Sequence, residues 1–263
     1  MPTNRHRIRK HAMKHVIVTI VAALTIWTPV MAQTCRKQSP AHTVALLELY
    51  TSEGCSSCPP ADRAVAGLRR AAQDDQVVPL ALHVDYWDYI GWTDRFAKPE
   101  FTMRQYQLVM EANSRAVYTP EIFLGTRELR DWRGQLDGAI GEVNRQPARA
   151  SIVIEAGKPA GGKLPVSVRT TAGENSNLFI ALYENGLSSN IKAGENNGVV
   201  LHHEFVVRDW VGPIALPVRA DASVNARSLT IPADSGSQLG VAAFVRNAQG
   251  EVLQALALPL CGR

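Results

Sequence analysis

No aspartate or glutamate occurs in the first 32 residues of this 263-residue chain, whereas Arg5, Arg7, Arg9, Lys10 and Lys14 all fall there. Of the 28 basic side chains 23 remain beyond that point, facing 24 acidic ones, so an overall charge of +4 becomes −1. A near-neutral body gives no electrostatic reason to expect a nucleic-acid or anionic-membrane partner. Also missing is any run of about 20 apolar residues, the length that a membrane-spanning helix needs. There is no glycine-rich phosphate loop and no nucleophilic-serine elbow, so two common catalytic signatures are absent. A composition of 46% hydrophobic and 20% charged residues excludes a disordered or fibrous chain and suits one large core or two ordinary ones.

The first 32 residues have the order of a secretory signal: basic up to Lys14, apolar from Val16 to Trp27, then Thr28-Pro29-Val30-Met31-Ala32 with small residues at 30 and 32. Cleavage is expected after Ala32, making 1–32 a signal peptide and the mature protein periplasmic or secreted, without a membrane span. The segment has no Arg-Arg pair, which argues against twin-arginine export. Only four cysteines follow, at 35, 55, 58 and 261. An even number in an oxidising compartment predicts two disulfides. Close spacing selects Cys55 with Cys58. That leaves Cys35 and Cys261, at the outer ends of the mature chain where termini often approach one another, as a structural pair.

Thr43 to Tyr50 is almost continuously apolar, as in a strand buried on both faces. Pro59 to Ala72 has helical spacing, with prolines where a first turn tolerates missing donors. Val77 to Val84 supplies a second apolar strand and completes a βαβ unit. A helix is predicted from about Pro99 to Asn113, a hairpin over Glu121–Leu124 and Arg127–Leu129, and a closing helix from Gln135 to Asn144. Past Gln146 the pattern changes to about seven short strands, among them Val199 to Arg208 as one, separated by turns such as Asn185-Gly186. The expected fold is therefore an α/β thioredoxin-like domain over 43–147 followed by an all-β, sandwich-like domain over 148–263.

The order strand, Cys55-Ser-Ser-Cys58, helix, strand, Thr119-Pro120, hairpin, helix brings a Cys-x-x-Cys pair into a βαβ setting, which is a redox signal. Three stretches carry a further likeness: Glu48-Leu-Tyr-Thr-Ser-Glu-Gly-Cys-Ser-Ser-Cys-Pro-Pro-Ala-Asp62, His83-Val-Asp-Tyr-Trp-Asp-Tyr-Ile-Gly-Trp92 and Val117-Tyr-Thr-Pro120. With Glu195-Asn-Asn-Gly198 and Val206-Val-Arg208, they resemble the signatures of a bacterial family of secreted thioredoxin-like proteins catalogued as a domain of unknown function. The resemblance implies that Pro120 is cis and packs against the disulfide.

A helix N-terminus favours a thiolate, which makes Cys55 the expected exposed nucleophile and Cys58 the resolving thiol. Pro59 and Pro60 disfavour αR backbone at the residues before them, and Glu53 adds a negative charge, so an extreme acidity of Cys55 is not expected. The Ser-Ser dipeptide predicts neither an extreme oxidant nor a strong reductant. Thr119, extended ahead of Pro120, would offer a docking edge to a substrate. Asp85 is a candidate proton shuttle, or simply a loop-capping carboxylate. Trp87 and Trp92 would wall a substrate groove or merely pack over the sheet end.

No cofactor is called for, and the expected partners are protein or small-molecule thiols and disulfides. Two other functions compete with a thiol–disulfide oxidoreductase. Cys55, Cys58 and His83 would hold a metal, copper(I) being the ion whose softness suits thiolates. Alternatively the pair only staples a turn in a redox-inert interaction protein. His202 and His203, adjacent in a strand, point to opposite faces and cannot easily grip one ion.

Overall fold

The structure is a computed structural model, and it describes residues 1–3, 35–218 and 221–261. Apart from its first three residues, the expected signal peptide lies outside the described residues. Ala32–Arg263 forms one compact unit.

In the first half of that unit lie strands β1 (Cys35–Gln38) and β2 (Ala45–Thr51), helices α1 (Pro59–Ala66) and α2 (Arg69–Gln73), then β3 (Val77–His83). Helix α3 (Pro99–Glu111), strands β4 (Glu121–Leu124) and β5 (Arg127–Glu128) and helix α4 (Trp132–Asn144) follow. The second half is all strands: β6 (Ala150–Ala156), β7 (Lys163–Ala172), β8 (Ser176–Glu184), β9 (Leu187–Asn190), β10 (Val200–His203), β11 (Val206–Leu216), β12 (Ser223–Thr230), β13 (Leu239–Asn247) and β14 (Val252–Pro259). The architecture is thus β-rich, with few helices.

Every residue of β2 and β3 is buried, as strands covered on both faces should be. They pair in parallel, Ala45 opposite Val77 and Thr51 opposite His83. The helix predicted from 59 to 72 divides in two, because the backbone leaves α-helical geometry at Leu68, φ −79° and ψ 3°. The single strand predicted from 199 to 208 divides as well. Phe205 takes a left-handed backbone, φ 58°, and its N–H is claimed by the Asn185 side chain at 2.8 Å, which frees the chain to leave one sheet for another.

The two halves, 43–147 and 148–263, share a sheet and a core. One mixed sheet of eight strands runs β14-β13-β8-β11-β3-β2-β4-β5. It crosses between the halves where β11 pairs in parallel with β3, Val206 opposite Ala81. A main core spans both halves, with Phe101 and Phe123 in one cluster with Phe179 and Phe244. A four-stranded antiparallel sheet, β1-β6-β7-β12, shares a second core with β8, β13 and β14, through Ile152, Ile154 and Val168 against Ile180, Val241 and Leu256. Strands β9 and β10 form a separate two-stranded arm. Among the described residues no helix is long and apolar enough to cross a membrane.

Candidate functional site

From the end of β2 the chain turns through Ser52, Glu53 and Gly54 into the cysteine motif. A methyl group at Gly54 would come within 3.3 Å of both Ile90 Cδ1 and Trp87 Cβ, so the turn passes directly beneath the 86–92 loop. Cys55 and Cys58 are joined in a disulfide, with Cα atoms 5.4 Å apart. Neither sulfur-bearing residue has any exposed surface, although Ser56 and Ser57 between them are exposed. The exposed nucleophile expected at Cys55 is therefore enclosed in this oxidised state.

Cys58 stands as N-cap of α1 with αR backbone (φ −75°, ψ −38°), although the proline that follows disfavours that conformation. The Cys58 carbonyl accepts from the N–H groups of Ala61 and Asp62 at 2.9 and 3.1 Å, and these bonds offset the pre-proline bias. The prolines sit at the first two helical positions, where no helical acceptor would be available for an N–H.

The Thr119-Pro120 bond is cis. Its loop meets the motif through Ser57, whose hydroxyl lies 3.3 Å from Cys55 Sγ and donates to the Thr119 carbonyl oxygen at 3.4 Å. Asp85 faces elsewhere: its carboxylate accepts from the Thr102 hydroxyl of α3 at 2.5 Å, and that hydroxyl accepts from the Asp85 N–H at 3.3 Å. This is the capping arrangement, on the α3 side of the sheet.

Beneath the cysteines lies a group of ionisable side chains. Asp62 is one helical turn beyond Cys58, and residues four apart share a helix face with side chains tilted toward the N-terminus. Part of Asp62 remains exposed, but its carboxyl is enclosed, and burial pushes it above the usual carboxylate range against the pull of His203 and His83. Asp62 and His203 line one small void. His83 is fully buried with Nδ1 2.6 Å from Asp94 Oδ2; burial alone would lower its pKa, but the Asp94 charge and hydrogen bond hold it raised. His203 Nε2 lies 3.1 Å from Glu53 Oε1, and the Trp92 indole donates to Glu53 Oε2 at 2.8 Å. Burial acts to raise Glu53, yet these bonds, His203 foremost, leave it lowered. The two imidazole rings stand edge to face, 5.1 Å apart, and among the described residues His83 Nε2 and His203 Nδ1 have no hydrogen-bond partner. His202 faces solvent, as strand alternation requires.

The second half of the chain also reaches the motif through the tip of the β9–β10 arm. Asn196 Nδ2 donates to the carbonyls of Glu53 (2.8 Å) and Cys55 (3.1 Å), and Glu195 Oε2 accepts the Ser56 N–H at 2.9 Å. Asp62, His203, Glu195 and Asn196 were not singled out as site residues in the sequence. The Glu195-Asn-Asn-Gly198 likeness contained two of them, and the Glu48–Asp62 stretch ended on a third.

At the far end, Cys35 and Cys261 are disulfide-bonded, with Cα atoms 5.6 Å apart. Of the alternative metal set, Cys55 and Cys58 are tied up in their disulfide and His83 is held by Asp94. Among the described residues no three His, Cys, Asp or Glu side chains are disposed to hold a metal ion.

A buried disulfide at a strand-to-helix junction, in a β-rich fold closed by a mixed sheet, sets the class. The chain belongs to the protein family of unknown function DUF1223, whose model matches residues 46–246. It is similar to the crystal structure of a protein from Agrobacterium tumefaciens, a structural-genomics target, at 26% identity. That match covers 84% of this chain and 96% of the other, with a TM-score of 0.59. No curated protein matches the chain.

Proposed function

We propose that this protein is an exported thiol–disulfide oxidoreductase with a thioredoxin-like first half, in which Cys55 and Cys58 exchange with protein or small-molecule thiols. The observation that carries the reading is the Cys55–Cys58 disulfide itself, set between β2 and α1 with the Thr119-Pro120 loop one hydrogen bond away through Ser57. A merely structural staple would not call for an enclosed acid one turn below Cys58, yet Asp62 is there. Export is supported by the basic, apolar and small-residue order of residues 1–32.

In the proposed reaction an incoming thiolate attacks Cys55 Sγ. The new S–S bond forms as the Cys55–Cys58 bond breaks, and the electron pair leaves on Cys58 Sγ. A protonated Asp62 then gives its proton to that thiolate, and His83 and His203 sit where they stabilise the resulting carboxylate. A second thiolate then attacks the substrate sulfur of the mixed disulfide, and the oxidised disulfide is released as the electron pair leaves on Cys55 Sγ. In the reverse direction Asp62 accepts the Cys58 proton. The reading is tested by the reduction potential of the Cys55 pair and by exchange with Cys55→Ser. Retained exchange in that variant, or a disulfide that resists reduction at glutathione potentials, would sink it.

A further inference from the structure

We infer that the β9–β10 arm is a gate over the Cys55–Cys58 disulfide, with Asn196 as its latch and Glu195 as a determinant of which thiols enter. Its use in selecting thiols rests on the exchange reaction proposed above; its closure rests on geometry alone.

The arm belongs to neither large sheet and pairs only within itself, Val200 opposite Asn190 and His203 opposite Leu187. Its tip covers the motif. Asn196 is only 6% exposed and spends its amide group on the carbonyls of Glu53 and Cys55, while Glu195 takes the N–H of Ser56. These are backbone groups of the motif itself, and with the tip seated on them the disulfide has no exposed surface. Bringing a thiolate within bonding distance of Cys55 therefore requires the tip to lift.

The tip is built to move as a piece. Gly198 N–H donates to the Ile191 carbonyl at 3.0 Å and Val199 N–H to the Asn196 carbonyl at 3.0 Å, so residues 191–199 hold their own shape. Gly194 and Gly198, with φ of 71° and 81°, bracket the latch residues in backbone conformations that side chains resist. A methyl group at Gly194 would lie 3.3 Å from Trp92 Cβ, so the tip rests on the same loop that covers Gly54. What must break on opening is three hydrogen bonds to the motif, the burial of Ile191 and a set of loop contacts, not a strand ladder.

Glu195 adds selectivity. Its carboxylate is exposed and held below the usual range by the Ser56 N–H, which fixes a negative charge at the mouth of the site. Anionic thiols approach against that charge and cationic ones with it, an effect that salt screens.

The test follows the reduction of the oxidised full-length protein, reading free Cys55 and Cys58 by alkylation and peptide mass so that the other disulfide does not interfere. The probes are dithiothreitol, cationic cysteamine and anionic 2-mercaptoethanesulfonate at low and high salt. Asn196→Ala is expected to raise the rate with all three by about tenfold, the effect of losing two side-chain hydrogen bonds. Asn196→Asp, which keeps the shape but loses the donors, should do the same and guards against a packing defect in the alanine variant. Glu195→Gln should abolish the low-salt preference for cysteamine over the sulfonate. Both Asn196 variants reducing within twofold of wild type, or the charge preference persisting in Glu195→Gln, overturns the gate. A disulfide that is a mere staple would still be unlatched by the Asn196 variants, so failure of the exchange reading and failure of the gate are separate results.

Discussion

Arg104 grips Glu48 with two prongs, Nη2 2.8 Å from Oε1 and Nε 3.1 Å from Oε2, in a space where neither side chain is more than 5% exposed. The Tyr50 hydroxyl donates a third bond to Glu48 at 2.9 Å. The guanidinium also stands 5.2 Å from the ring of Phe179. Since Arg104 belongs to α3 and Phe179 to β8, this pair sits where the two halves of the chain are fused. Burial works to raise Glu48, yet Arg104 holds it lowered.

Removing one partner leaves the other buried and unpaired. Arg104→Ala is expected to cost about 3–5 kcal/mol, whereas replacing Glu48 and Arg104 together by well-packed apolar residues should cost far less. Urea denaturation measures both. A loss below about 1 kcal/mol for Arg104→Ala would show that water reaches Glu48.

The His83–Asp94 pair bounds stability on two sides. Asp94 is lowered, by His83 against the effect of burial, so its contribution is present above the ordinary carboxylate range and fades as pH falls through its depressed folded value. His83 is raised, so its contribution is complete below the ordinary imidazole value and fades as pH climbs through the raised one. His83→Ala should therefore flatten the alkaline flank of a stability–pH curve. An unchanged flank would contradict the pairing.

Asp62→Asn separates chemistry from folding. The raised carboxyl disfavours the folded state once it must ionise, so the variant should be as stable as wild type or more so at neutral pH. Exchange, deprived of its proton carrier, should slow by about a hundredfold and lose a step in its pH–rate profile. A variant that is both less stable and fully active would remove Asp62 from the mechanism.

Cys35→Ser with Cys261→Ser opens a closure spanning 226 residues. The chain-entropy relation puts the cost at about 5 kcal/mol. Exchange at Cys55 should persist wherever the protein stays folded, because the two disulfides lie in different parts of the fold. Parallel loss of exchange in a folded double variant would refute that independence.

The strands next to the motif were legible because burial on both faces leaves an unbroken apolar run, as in Ala45–Thr51 and Val77–His83. Cys55, Cys58, Thr119 and Pro120 were legible because few chemistries use that order. The join between β11 and β3 was not, since a strand that crosses between two compositional regions carries the same alternation as one that stays within its own. The break at Phe205 depends on the Asn185 side chain twenty residues earlier, which no local pattern contains. Asp85 drew attention by its place at a strand end, while nothing local distinguishes Asp62 from an ordinary first-turn helix acid. The difference between them is that Asp85 meets Thr102 of α3 whereas Asp62 meets the His83 and His203 group, and that is settled by tertiary packing. The contribution of Glu195 and Asn196 required knowing that a distant hairpin folds back onto residue 55.

The link between Cys35 and Cys261 closes residues 35–261 into a covalent ring. Cutting such a ring once, for instance at the Asn247-Ala-Gln-Gly250 turn between β13 and β14, does not divide it. The cut ends become new termini while the original ones stay joined, as in a circularly permuted chain. A nicked protein would travel as a single band until reductant is added, because the strands on either side of the cut stay tied through the Cys35–Cys261 bond.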